Sequence, residues 1–157
     1  MRPEMKHYPQ VPELETEAIR AFLAKPLMAR LSTHNADGTI HTIPIWFEYR
    51  DGVVLLSTQT ITRKVKNIQG NPQVTVLIDT DTMPYAGVMI YGHAELDFED
   101  AAEKRVTIFE RYFGDRDAAT DYANRLAAKW EPVIIRVVPQ RVISFDYTRG
   151  SLVPEDD

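Results

Sequence analysis

Residues Glu13 to Lys25 place Ile19, Phe22 and Leu23 at i, i+3 and i+4, the spacing of an amphipathic helix, and Pro26 stops it. The period then shortens. The stretches LMARLST (27–33), HTIPIWFEY (41–49) and VVLLST (53–58) are apolar or alternating runs, which predict strands. Asp51-Gly52 falls between two of them. A two-residue turn there needs positive φ at both positions, which Asp-Gly tolerates, so a tight hairpin is expected. Asn35 to Gly38 reads as a slightly longer hairpin turn, and the three runs together predict an antiparallel meander. A short helix follows over roughly Thr62 to Gln69, ended by Gly70-Asn71-Pro72. QVTVLID (73–79) and GVMIYGHAEL (87–96) predict the fourth and fifth strands, joined by the loop TDTMPYA. Val106, Phe109 and Phe113 share one face of a helix over Glu99–Phe113. Ala119, Tyr122, Ala123 and Leu126 do the same over Ala118–Lys129. Two closing strands, VIIRVVP and RVISFDY, are expected on either side of Pro139-Gln140.

Strands joined by tight turns, with helices at the margins and no βαβ rhythm, indicate a mainly β fold. The expectation is a small closed or split antiparallel β-barrel of six to seven strands. With no repeat, linker or low-complexity tract, residues 1–157 read as one domain. Residues 1–12 form an extended arm and 149–157 a polar tail.

Composition narrows the chemistry. A chain of 157 residues can bury roughly 70% of its unfolded surface without cross-links. The absence of cysteine removes disulfides, thiolate metal sites and a cysteine nucleophile, and suits a cytoplasmic location. No apolar run approaches the roughly 20 residues that span a bilayer, so no membrane association is expected. A net charge of −5 argues against nucleic acid as a partner. Any anion must therefore be held by a local device.

Such a device stands in TQTITRKVKN, where Arg63 and Lys64 occupy the first turn of the short helix behind Thr58, Thr60 and Thr62. Cations there oppose the helix dipole, whereas an anion at the free N–H groups is favoured. Arg63 can grip a phosphate bidentately, Lys64 supplies a point charge, and Thr58 and Thr62 supply hydroxyls. The plainer alternative is an N-cap threonine beside a solvated charged face. Pro44, inside an otherwise regular strand, marks either a site where a ligand replaces the neighbouring strand or simply a protected edge. In the first case the backbone of Ile43, Ile45 and Trp46 is free to meet a planar, hydrogen-bonding ligand. Trp46 either covers a ring or packs in the core. His7, His34, His41 and His93 have no metal-ligand spacing, and no nucleophile or acid–base pair stands out. Catalytic side chains are therefore expected to be none. Met83-Pro84-Tyr85 reads as a loop or as the lip of a substrate pocket, and Trp130 as a core or interface aromatic.

The series IPIWFEY–DG–LLST, then Arg63-Lys64, then NPQV and YGHAEL resembles the pyridoxamine 5′-phosphate oxidase-like superfamily of flavin-binding split barrels, with its flavin/deazaflavin oxidoreductases. The likeness runs over roughly residues 14–148. It implies a homodimer with FMN in the groove between subunits. Thr58, Thr62, Arg63 and Lys64 would hold the phosphate, and Thr42, Ile43, Pro44, Ile45 and Trp46 would run along the isoalloxazine and ribityl chain. The family glutamine that can reach the flavin before the fifth strand is replaced here by Gly87, a cofactor-binding position whose side-chain contact is lost or replaced by backbone. The C-terminal Arg-x-His signature of the true oxidases is missing from RVISFDYTRGSLVPEDD, which removes their substrate-phosphate grip. The resemblance thus implies an FMN-dependent oxidoreductase acting on an unknown small molecule. Two alternatives stay open: an F420-dependent reductase, and a flavin- or haem-binding protein without turnover.

Overall fold

The computed structural model describes residues 12–147. All of the proposed arm but Pro12, and the whole tail, lie outside the described residues. A 3₁₀ turn (Pro12–Glu15) leads into helix α1 (Glu17–Leu23), where Thr16 accepts the Ile19 N–H at 3.3 Å as N-cap. Seven strands follow: β1 (Ala29–His34), β2 (Ile40–Ile45), β3 (Phe47–Arg50), β4 (Val53–Gln59), β5 (Gln73–Asp79), β6 (Ala86–Asp97) and β7 (Pro132–Asp146). Helix α2 (Arg63–Gly70) joins β4 to β5, while α3 (Ala101–Phe113) and α4 (Arg116–Ala127) join β6 to β7. All pairings are antiparallel, in the order β2-β1-β5-β6-β7-β4-β3, and the sheet curls into the expected split barrel.

Two expected strands change. The run 41–49 is not one strand of a meander. It breaks at Trp46, so that β2 pairs with β1 at one edge of the sheet and β3 pairs with β4 at the other. Side chains of α3 hold the break. The Tyr112 hydroxyl accepts the Phe47 N–H at 3.0 Å and donates to the Leu27 carbonyl at 2.6 Å. Arg111 donates to the carbonyls of Phe47, Leu23 and Lys25. The alternation of the sequence runs through unbroken, but what lies outside it changes. Thr42 and Pro44 face solvent, whereas Trp46 lies under α3 and α4.

The two closing strands are instead one strand, β7, continuous through Pro139. The β6–β7 register shifts at Tyr91/Gly92, where Gly92 faces Pro139. A Cβ on Gly92 would lie 2.6 Å from the Val138 carbonyl oxygen, so only glycine permits this approach. Proline contributes no ladder N–H, and a register irregularity tolerates that. The Asp51-Gly52 turn forms as expected, with φ of 51° and 81°.

Apolar side chains fill two layers. Inside the curl, Leu31, Phe47, Leu56, Val76, Ile90 and Ile135 pack together, with Leu14 and Leu23 closing one end. Outside it, α3 and α4 cover Val53, Leu55, Ile134 and Val138.

Candidate functional site

Helix α2 sits where the β4 strand leaves the sheet. Val65 and Ile68 anchor its inner face. Asn67, 6% exposed, donates to the Thr33 hydroxyl (3.0 Å) and to the Asn35 side-chain oxygen (2.8 Å). These bonds tie α2 to β1 and to the β1–β2 turn. Thr58 is buried, with its hydroxyl 3.3 Å from that of Thr62. Thr62 is the N-cap by position, yet its side chain makes no cap bond and donates to the Gln59 carbonyl at 2.9 Å. The first-turn N–H groups of α2 are thus left without a side-chain acceptor.

Arg63 projects into solvent and Lys64 is half-buried. Neither forms an ion pair with another described residue. Burial pushes the Lys64 ammonium below the usual lysine range, because water around the charge is replaced by protein. A half-buried, unpaired cation against the positive end of a helix is unfavourable by itself. A dianionic phosphate monoester would reverse each term: it would pair with Lys64 and Arg63 and accept from the free N–H groups. The residues present fit that group.

Beyond Arg63, a groove runs between α2 and the β1–β2 turn, lined by His34, Asn35, Arg63, Lys66 and Asn71. Strand β2 borders the same hairpin and, among the described residues, pairs only with β1, so one side of its backbone has no strand partner there. Ile43 and Ile45 turn toward the core, while Thr42 and Pro44 are exposed. Thr42 and Ser32 share a hydroxyl contact of 2.9 Å. The fold therefore sets Thr58 against Thr62, with Arg63 and Lys64 following in the first turn of α2, and links that helix, through Asn67, to the β1–β2 turn.

Two expected positions fall elsewhere. The Trp46 indole stacks on Tyr112, with centroids 4.6 Å apart and planes at 7°, and meets Phe109 and Phe113 edge-on. The ring it covers belongs to α3. Gly87 pairs with Asp79 at the end of β5, whereas α2 leads into the start of that strand. A Cβ on Gly87 would come within 2.5 Å of the Phe145 ring, so the missing side chain makes room for an aromatic of the same sheet. Gly87→Ala is expected to destabilise the chain by about 1–2 kcal/mol, less than a backbone clash because the ring edge can swing away. Thermal unfolding measures this, and an unchanged midpoint would contradict the close approach.

Asn67, Arg111 and Tyr112 carried no sequence signal, since polar residues in helices read as solvated. Arg105 also escaped notice. It is fully buried and donates to the Ala123 carbonyl at 3.0 Å, with two guanidinium nitrogens unpartnered among the described residues. Among the described residues, no cluster of three metal-ligating side chains occurs, and no helix is long and apolar enough to cross a membrane.

Comparison with known proteins agrees with this fold. The family model described as pyridoxamine 5′-phosphate oxidase matches residues 15–145. None of the curated proteins matches the chain in sequence. Among solved structures, a conserved hypothetical protein of Mycobacterium tuberculosis, Rv2991, is similar, with 27% identity and a TM-score of 0.74. That match covers 95% of this chain and 96% of the other. An F420 reductase shares 24% identity at a TM-score of 0.66, covering 82% of this chain and 98% of that one. HutZ, the haem storage protein of Vibrio cholerae, shares 16% identity at 0.63, covering 80% and 91%. The last two likenesses speak for the fold alone.

Proposed function

The chain belongs to the pyridoxamine 5′-phosphate oxidase family, and from that premise we propose that it is a cytoplasmic, homodimeric FMN-binding oxidoreductase acting on a small molecule. The observation that carries this reading is Lys64, a half-buried cation without a counter-charge among the described residues, beside the uncapped N-terminus of α2. Lys64 and Arg63 would hold the cofactor phosphate, with the Thr58 and Thr62 hydroxyls behind them. The open backbone edge of β2 would receive the polar rim of the flavin ring, and a second subunit would complete the groove. When bound, the flavin supplies the redox chemistry. The protein's part is to orient it, to neutralise its phosphate and to exclude water. Pyridoxamine phosphate itself is not the proposed substrate, because the terminal Arg-x-His that would grip its phosphate is missing.

A second reading has one observation in its favour. The groove along α2 continues from Arg63 to Lys66, so a cofactor with a longer anionic tail, such as F420, has cations to follow. Titrating the purified chain with FMN, F420 and haem separates the possibilities. Saturable FMN binding with a shifted visible band is expected. Binding of F420 alone would move the protein to the deazaflavin branch, and a haem Soret band without flavin binding would overturn both.

A further inference from the structure

Four side chains form a hydrogen-bonded series from the middle of α2 to the start of β2. The Asn67 amide donates to the Asn35 side-chain oxygen at 2.8 Å, and the Asn35 amide donates to the Thr39 hydroxyl at 2.9 Å. Thr39 in turn donates to the Asp37 carboxylate at 2.5 Å. Asn67 also donates to the Thr33 hydroxyl of β1 at 3.0 Å, so its buried amide serves two partners.

The carboxylate at the end sets the direction of the whole series. Asp37 is exposed, and the hydrogen bonds from Thr39 hold its carboxyl below the usual carboxylate range. It is therefore charged at neutral pH and can only accept. The Thr39 hydrogen points to Asp37, which leaves the Thr39 oxygen to accept from the Asn35 amide. That in turn presents the Asn35 oxygen to Asn67. Neither amide can flip without losing a partner.

The two ends of the series fall at telling places. Asn67 follows Arg63 by four residues and Lys64 by three, so it lies one turn along α2 from both cations. Thr39 immediately precedes Ile40, the first residue of β2. We propose that Asn67, Asn35 and Thr39 are positioning residues for the cofactor, holding α2 at a fixed offset from β2 so that one molecule can engage both. This rests on the flavin reading above. The phosphate and ring of a flavin are joined by the ribityl chain. Their two attractions add in full only where the protein surfaces already stand at the matching separation, because ordering those surfaces on binding subtracts from affinity.

FMN and riboflavin share the ring and differ in the phosphate, so titrating both by flavin fluorescence separates positioning from plain stability. Asn35→Ala should weaken FMN by about tenfold, as expected for a lost hydrogen bond, and riboflavin by much less. Thr39→Val keeps the side-chain shape and forms no hydrogen bond with α2. It should lower the preference for FMN over riboflavin by about threefold, through the loosened Asn35 amide. In the Asn35→Ala background it should add nothing, because the link to α2 is already cut. The turn keeps its backbone bonds in both variants, Asn35 N–H to the Thr39 carbonyl and Gly38 N–H to the Asn35 carbonyl, so the fold will tolerate them. FMN and riboflavin weakened by one factor, FMN affinity unchanged in Asn35→Ala, or a full Thr39→Val cost in the Asn35→Ala background would each overturn the positioning role alone. No FMN binding by the unaltered chain would overturn the flavin reading and this role with it.

Discussion

Replacing Lys64 by alanine is expected to weaken FMN binding by roughly ten- to a hundredfold, the equivalent of about 1.5–3 kcal/mol for a charge-assisted hydrogen bond. Arg63→Ala should cost less, because Arg63 is exposed and its attraction is screened by salt. The two variants should therefore differ in kind. The Arg63 effect fades as ionic strength rises, whereas the Lys64 effect persists.

Protonation gives a second readout. The folded Lys64 pKa is lowered, so its burial penalty is full below the folded value and gone above the unfolded one. Stability of the ligand-free chain thus rises with pH across that window. Phosphate binding needs the ammonium, so FMN affinity should fall over the same window, below the usual lysine range, and Lys64→Ala should lose this dependence. Isothermal titration at several pH values measures both effects. Unchanged affinity in both variants would sink the phosphate assignment.

The second large effect is expected at Trp46. Trp46→Ala should destabilise the fold by about 3–5 kcal/mol, measured by denaturant unfolding, because its ring fills the space among Phe109, Tyr112, Phe113 and Tyr122. More than packing is lost. Trp46 is the single residue between the two edge strands, so its stacking on Tyr112 keeps β2 and β3 at opposite edges of the sheet. A cost below about 1 kcal/mol would mean that the hydrogen bonds of Arg111 and Tyr112 to Phe47 hold the junction unaided.

The comparison of Trp46 with its neighbours shows what alternation can and cannot say. Period-2 patterning placed Ile43, Ile45 and Phe47 on one face, and all three do face the barrel interior. It gave no warning that the strand breaks between them, because the break is made by residues some 65 positions later. Pro139 shows the same limit in reverse. A proline read locally as a strand end is accommodated within β7 by a glycine on the neighbouring strand.

The candidate site divides in the same way. The cluster of Thr58, Thr62, Arg63 and Lys64 is local in sequence, spanning a strand end and one helical turn, so its residues were legible together. Asn67 was not, since its meaning lies in Thr33 and Asn35, three strands back along the chain. Gly87 was legible as a departure from the family pattern, but its physical role depends on Phe145, a partner brought by the last strand.

By itself the sequence determined the helices and most of the strands, the tight Asp51-Gly52 turn, the antiparallel class of fold and the cation pair at α2. Each of these follows from periodicity, glycine backbone freedom or charge within about ten residues. Only the tertiary structure decided which strands form the edges, why Lys64 is half-buried with no counter-charge among the described residues, and how α1 and the 80–86 loop enclose a second cleft. Those features are set by burial and by hydrogen bonds between distant segments, and neither is written in local order.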